Sequence, residues 1–452
     1  MKFPYGILAV VFLGLAGCLT VRLPEAKVTR SSEPVDVVWG GLVRQALMQN
    51  PDLQNARALV TSSRRSRDIA FGDYLPSVDG NLERGVSRNG GGSSGGTSSS
   101  SGTGGSDKTR ESLSLGVSAT QPIFNGFGTT GSWLKARKVL EASELSYLAT
   151  SADVRYRLRA SYVDLMRLAR LVEVYERIAG RRKDNAELVR LRYDAGRENV
   201  GSALRAEAIS SQAFFDVDSS KRRQESQALR LARESGGSFE VSIRVVEEME
   251  KVMPEAAPAS PDYARLSEDA PGVEQLLKTA EAAKAEIVTA QSSVWPQVEG
   301  NAQYGNTGTR AADLGNEGML ALKMSVPFFN GGKNVEGIAK AKADYDAARE
   351  AAESARDEKI AQLAEAWALY SDAAENVEVR RKFLESSRKR AEIVRAQYTS
   401  GLASFQDFDI AEQEYADSER NYVEGLSNVL VMKAKWEQTM GKTLEDALNE
   451  IS

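Results

Sequence analysis

Cys18 is the one cysteine in the 452-residue chain and histidine is absent altogether, so the side chains that usually do chemistry near neutral pH are almost missing. Without imidazole there is no Ser-His-Asp or Cys-His nucleophile system, no ordinary neutral-pH general base, and none of the commonest metal ligand. A lone cysteine cannot close an intrachain disulfide or build a thiolate cluster. Catalysis would have to rest on paired carboxylates, and the Asp and Glu residues lie scattered along helical stretches with no shared spacing, as on a solvated face. The expectation is a protein that is not an enzyme, with no metal and no cofactor. The 58 basic and 63 acidic residues leave a formal charge of -5, and no basic tract stands out that could neutralise a run of phosphates, so nucleic acid is not an expected partner.

Whatever chemistry Cys18 has must be individual, and its position suggests what it is. Met1 and Lys2 precede an apolar run from Phe3 to Ala16, the shape of a secretory signal and too short for a spanning helix. The run closes on Leu15-Ala16-Gly17-Cys18, which resembles a bacterial lipoprotein signal: residues 1–17 are cleaved and the exposed cysteine is acylated. An ordinary signal with a chance cysteine, or an uncleaved anchor, are the alternatives. A covalent lipid on Cys18 would anchor the chain, each buried methylene contributing about 0.8 kcal/mol. Leu19 follows instead of the aspartate that retains lipoproteins at the inner membrane, which favours the outer membrane and its lipid.

The rest of the chain is organised by a duplication. Tyr74-Leu75-Pro76-Ser77-Val78-Asp79-Gly80-Asn81 matches Val294-Trp295-Pro296-Gln297-Val298-Glu299-Gly300-Asn301, and Asn50-Pro51 matches Ala270-Pro271, at an offset of 220. Gln121-Pro122-Ile123-Phe124-Asn125-Gly126 matches Val326-Pro327-Phe328-Phe329-Asn330-Gly331, and Arg192-Tyr193-Asp194-Ala195-Gly196 matches Gln397-Tyr398-Thr399-Ser400-Gly401, at an offset of 205. The offset changes between Asn81 and Gln121, where residues 89–106 are almost all Gly, Ser and Thr and read as a flexible loop.

On each side of that loop apolar residues alternate: Val78, Gly80, Leu82 and Val86 going in, Leu113, Leu115, Val117 and Ala119 coming out. The second copy repeats this with Val298, Gly300, Ala302 and Tyr304, then Leu320, Leu322, Met324 and Val326. Strands of about 9–11 residues are long enough to cross a bilayer when tilted; alternation alone also suits two soluble hairpins. Proline-free stretches rich in Ala, Leu, Glu, Lys and Arg follow, and read as long helices. Leu158, Tyr162, Leu165, Ala169 and Val172 step by 4, 3, 4 and 3, and so do Leu363, Trp367, Tyr370, Ala374 and Val377, a coiled-coil period. The predicted first repeat spans 18–234, with a helix at 42–73, strands at 76–88 and 111–121, and a helical hairpin at 129–234 turning near 196. Residues 235–270 join it to a second repeat at 271–452, with a helix at 272–294, strands at 296–305 and 319–327, and a hairpin at 334–440 turning near 401.

Four strands cannot close a membrane barrel, which needs about eight or more, and open edges are not tolerated in lipid. Several chains must contribute. The lipobox, the doubled strand-loop-strand-helix unit, the Pro-Phe-Phe-Asn-Gly-Gly element at 327–332 and the Tyr-x-x-Gly turns together resemble the TolC-like outer-membrane efflux family over residues 18–452. The resemblance implies a fold of long antiparallel coiled-coil helices forming a periplasmic tube, with four transmembrane strands per chain in a twelve-stranded homotrimeric barrel. It implies a passive export duct for efflux or type I secretion, opened at its periplasmic tip by a periplasmic adaptor and an inner-membrane transporter. A periplasmic coiled-coil adaptor is the alternative, although it calls for one hairpin rather than two copies. The tip or gate candidates are Tyr193, Gly196, Arg197, Glu198, Tyr398, Gly401 and Asp407. The family's gate acid and arginine fall on Ser202 and Ala403, so Arg197, Glu198 and Tyr398 are expected to form a substitute latch or an adaptor contact.

Overall fold

The computed structural model describes residues 35–88, 109–237, 243–247, 249–253, 261–308 and 315–451. The expected signal peptide, Cys18 and the Gly/Ser/Thr tract at 89–106 lie outside the described residues, as does part of the 235–270 segment.

In chain order the elements are β1 (Val35–Val37), α1 (Trp39–Gln49), α2 (Pro51–Gly72), β2 (Ser77–Arg88), β3 (Thr109–Phe124), α3 (Gly128–Asp194) and α4 (Val200–Ser235). Then follow β4 (Ile243–Val245), a 3-10 turn at Met249–Lys251, α5 (Tyr263–Glu268), α6 (Pro271–Ser292), β5 (Gln297–Gly308), β6 (Gly315–Ser325), α7 (Lys333–Ser400), α8 (Phe405–Thr439) and α9 (Leu444–Ile451). The helix expected over 42–73 is in fact two. Asn50 is extended and its side-chain oxygen accepts from the backbone N–H groups of Asp52 and Leu53 at 2.9 and 3.2 Å. Pro51, in the first helical position, has no N–H to continue α1 and a φ suited to starting α2.

β2, β3, β5 and β6 form one antiparallel sheet in that order. Adding 220 to the β2 numbers and 205 to the β3 numbers turns the pair Leu82↔Leu115 into Ala302↔Leu320, which is the observed pairing of β5 with β6. The duplication is therefore kept residue for residue in the hydrogen-bond register. β3 and β5 run past their expected ends and β6 begins ahead of its own. β3 extends to Phe124 through an irregularity between Pro122 and Phe124, and β5 and β6 keep pairing to Thr307↔Gly315, beyond the apolar alternation that marks them in sequence. β6 stops at Ser325, short of the expected 327, because Pro327 has no N–H for a ladder.

α3 and α7 are single helices of 67 and 68 residues, which at ~1.5 Å per residue makes each a rod of about 100 Å. α4 and α8 return alongside them. The apolar stripe of α3 is buried at Leu158, Tyr162 and Leu165, where it meets Leu42, Val43, Leu231, Leu426, Leu430 and Leu444. The matching stripe on α7 buries Leu363 and Tyr370 against Val429 and Trp436. Within 235–270, β4 pairs in parallel with β1 beside this core. α9, for which the sequence held no expectation, packs Leu444 and Ala447 into the same core.

The two repeats meet along a seam made by β3 against β5 and α3 against α6. Ion pairs Lys135–Glu286 (3.0 Å) and Lys138–Glu281 (2.7 Å) line its helical part. Backbones approach closely at Gly131, where a Cβ would stand 2.7 Å from the Thr289 nitrogen and 3.2 Å from the Ala285 carbonyl. Gly131→Val is therefore expected to force α3 off α6 and cost about 1–3 kcal/mol. Gly180→Ala, where a Cβ meets nothing within 4 Å, should hold or raise stability. Thermal unfolding in detergent compares the two, and an unshifted midpoint for Gly131→Val would refute the close-contact account.

Candidate functional site

The helical tip gathers most of the residues singled out in the sequence. Gly196 and Gly401 end α3 and α7 in the left-handed region, with φ of 70° and 84°, where glycine meets no Cβ penalty. At each, the following N–H reaches back over the last turn: Arg197 to the Arg192 carbonyl and Leu402 to the Gln397 carbonyl, both at 2.8 Å. The two turns share a geometry, but their tyrosines do not share a role. Tyr193 is 37 % exposed on the outside of α3, whereas Tyr398 is 1 % exposed.

Tyr398 is held on all sides. Its ring stacks on Phe408 at 4.8 Å and 5° and meets Phe405 edge-on at 6.4 Å. These rings belong to a cluster with Ala186, Val189, Ala203 and Ala206 of the first hairpin. The Tyr398 hydroxyl donates to Glu198 Oε2 at 2.9 Å, and burial together with that carboxylate pushes the phenol well above the usual tyrosine value. The cation on the ring is Arg192, not Arg197. The Arg192 guanidinium carbon lies 4.6 Å from the ring centre, and Nη1 donates to the Tyr398 carbonyl at 2.5 Å and the Thr399 carbonyl at 3.2 Å. One hairpin thus grips the other through Arg192 and Glu198. Arg197 stands instead on the rim of an open groove of about 730 Å³ between the two tips, lined also by Arg192, Glu198, Ser202, Arg205 and Asp409.

Asp407, expected at the gate, is a helix cap. Ser404 and Asp407 bond reciprocally at the start of α8, and the Ser404 hydroxyl on its carboxylate, at 2.6 Å, holds Asp407 below the usual aspartate range. Ser202 and Ala403 are likewise accounted for: the Asn199 side chain caps α4 at the Ser202 N–H (2.9 Å) and donates to its hydroxyl, and Ala403 packs on the aromatic cluster.

Above the tip, charges bind α3 to α8. Arg182, nearly buried, donates to Asp409 at 3.1 Å and Gln413 at 2.8 Å, and Arg205 of α4 reaches the same Asp409 at 3.0 Å. Arg181 pairs with Glu419 and lies over the Tyr415 ring at 4.3 Å. Arg395 of α7 donates to Asn185 at 2.6 Å.

At the opposite end, the sheet register puts Val78, Leu82, Val86, Leu115, Val117, Tyr304, Leu320, Leu322 and Met324 on one face, all more than half exposed. The other face carries Asp79, Asn81, Glu83, Ser114, Ser118, Glu299, Asn301, Glu317 and Lys323, with Met319 among them. Among the described residues the sheet has one exposed apolar face and two open edges, β2 and β6, and it is carried on long helical hairpins, the form of a β-barrel membrane duct protein. Among the described residues no helix is long and apolar enough to cross a membrane and no group of potential ligands could hold a metal ion.

The chain belongs to the outer membrane efflux protein family, whose sequence profile matches residues 42–236 and 264–441. Among curated protein sequences there is no match. Its fold is that of solved outer-membrane channels. VceC of Vibrio cholerae is 18 % identical with a TM-score of 0.76, over 89 % of this chain and 96 % of that one. CmeC of Campylobacter jejuni is 15 % identical with a TM-score of 0.77, over 95 % and 93 %. The open state of MtrE of Neisseria gonorrhoeae is 18 % identical with a TM-score of 0.75, over 93 % and 96 %.

Proposed function

We propose that this outer-membrane efflux protein works as three identical copies whose four-stranded sheets close into one barrel, continued by a helical tube into the periplasm. The observation that carries this is the sheet itself. Its apolar face requires lipid and its two free edges require partners, while four strands are too few to close around a pore. The duct is passive, and the Tyr398 latch is the contact that an inner-membrane pump and its periplasmic adaptor release. A lipid on Cys18 fixes the chain to the outer membrane. The test is expression with metabolic fatty-acid labelling, followed by unboiled electrophoresis of the outer-membrane fraction and conductance in planar bilayers. A detergent-resistant trimer that conducts is expected; a monomer extracted without detergent would sink the reading. Cys18→Ser should lose the lipid label while keeping the trimer, and a label that survives the substitution would remove the anchor from the account.

A further inference from the structure

The seam inside the chain specifies the seam between chains. Resting on the proposed three-copy barrel, we infer that β6 of one copy pairs with β2 of the next in one fixed register, which sets Lys323 directly opposite Glu83 of the next copy.

Three observations on the structure lead there. The two hairpins, β2–β3 and β5–β6, have the same register when the repeat offsets of 220 and 205 are applied. The strands where the repeats meet, β3 and β5, are antiparallel, with Leu115↔Asn306, Val117↔Tyr304, Ala119↔Ala302 and Gln121↔Gly300 as partners. The two edges left open are β6, the counterpart of β3, and β2, the counterpart of β5. A closed ring of alternating repeats must join these edges as the first seam joins its own, because the same backbone twist and tilt have to be continued around the barrel. Carrying each partner through its offset gives Leu320 opposite Val86, Leu322 opposite Arg84, Met324 opposite Leu82 and Val326 opposite Gly80, with the second member of each pair on the next copy.

The side chains agree with this register although it was fixed from the backbone alone. On the apolar face it brings Leu320, Met324, Leu82 and Val86, all more than half exposed in the single chain, side by side, with Arg84 opposite Leu322 among them. On the polar face it sets Lys323 against Glu83. Within its own chain Lys323 already stands opposite Glu299, so the seam becomes a row of Glu299, Lys323 and the next copy's Glu83, in which one ammonium lies between two carboxylates. Opposite charges directly across an antiparallel pair favour the register, and like charges oppose it. A slip by two residues would exchange Glu83 for Asn81 or Gly85 and leave the lysine without its second acid. A slip by one would turn the apolar set into the pore.

The helices beside the sheet repeat the message. The offsets carry Gly131, which lies against Ala285 and Thr289, to Glu336, and carry those two residues to Arg65 and Ile69. The close glycine contact of the inner seam becomes an acid facing a base in the outer one. The same offsets carry the inner ion pairs Lys135–Glu286 and Lys138–Glu281 to Lys340 with Ser66 and Ala343 with Thr61, so the outer seam exchanges those pairs for this one.

The experiment is oxidative cross-linking of the full-length chain in outer membranes, with Glu83→Cys and Lys323→Cys made singly and together. Directly paired strand positions bring Cβ atoms within reach of a disulfide. The double variant is expected to give reducible covalent dimers and trimers after boiling, and each single variant none. Asn81→Cys with Lys323→Cys, displaced by two residues, is expected to cross-link poorly. Preferential cross-linking of that displaced pair, or none from either pair while the unboiled trimer persists, overturns the register and leaves the barrel standing. Loss of the trimer from the unmodified chain overturns both. Should the cysteine variants not assemble, Lys323→Glu should lower the temperature at which the trimer dissociates, and adding Glu83→Lys should restore it; failure of that restoration counts against the pair.

Discussion

Replacing Tyr398 with alanine is expected to raise the conductance of the closed duct several-fold in planar bilayers. The substitution deletes the stacking on Phe408, the cation-π contact with Arg192 and the hydrogen bond to Glu198 in a single step. Emptying a site that holds a buried aromatic costs about 3–5 kcal/mol, and here that loss falls on the contact between two hairpins rather than on a common core. Tyr398→Phe keeps the stack and removes only the hydrogen bond, so it should give an intermediate rise, and Arg192→Met should give one too. Arg197→Ala should leave conductance unchanged. Equal conductance for Tyr398→Ala and the parent would remove the latch from the closing mechanism.

The pH dependence of the latch follows from the sign of the Tyr398 shift. Its phenol titrates above the ordinary tyrosine value of about 10. A raised value means that the folded state favours the protonated hydroxyl, so its contribution is complete below the ordinary value and is lost only as pH climbs through the folded one. The phenol therefore stays protonated, and able to donate to Glu198, across the neutral and mildly alkaline range.

The second large effect concerns α9. Arg155 is buried within α3 and donates to Glu437 at 2.9 Å, Glu450 at 3.0 Å and the Thr443 carbonyl at 3.1 Å. Beside it Ser151 and Tyr147 both donate to Glu445 at 2.5 Å, and the Leu444 N–H donates to Ser151 at 3.0 Å. Arg155→Ala leaves Glu437, 16 % exposed, and the more exposed Glu450 without their shared cation and the Thr443 carbonyl without its donor, a loss of about 1–3 kcal/mol. The last helix should come away first, so that limited proteolysis cuts the C-terminal residues before any other described segment. Arg157→Ala serves as the control, because that guanidinium is 42 % exposed where it pairs with Asp52, and such pairs are worth about 1 kcal/mol or less. Comparable losses for the two variants would show that Arg155 does not hold α9.

How far the sequence reaches depends on the range of each interaction. The duplication, the strand faces and the helix stripes were legible because they are periodic and local. The Gly196 and Gly401 turns are legible because glycine is the residue favoured at a left-handed helix end. The break at Asn50 is also written in the chain, as a capping residue followed by Pro51, beneath a longer helical pattern that runs across it. The sequence puts Arg197, Glu198 and Tyr398 together as a latch or an adaptor contact, whereas the cation on the Tyr398 ring is Arg192. Arg192 reaches Tyr398 because the first hairpin packs on the second, α3 lying along α8, with some 200 residues of sequence between the two, which no spacing within one helix discloses. Its one sequence signal is that it occupies the repeat position where the second copy has Gln397. Asp407, an acid three residues after Ser404, also carries the signature of a capping box, and the structure shows that box. α9 was missed because eight residues hold too few turns for a period to show.

The unbroken length of α7 has a mechanical consequence. Tyr398 sits near the far end of a stiff rod of about 100 Å whose other end is fixed at the sheet, and a tilt of roughly 5° there sweeps the tip by about 9 Å. A restraint on a lever resists rotation in proportion to its distance from the fulcrum, so one aromatic clasp at the end opposes more torque than the same clasp halfway along. By the same leverage, a pull at the tip separates the clasp with the least force per degree of opening.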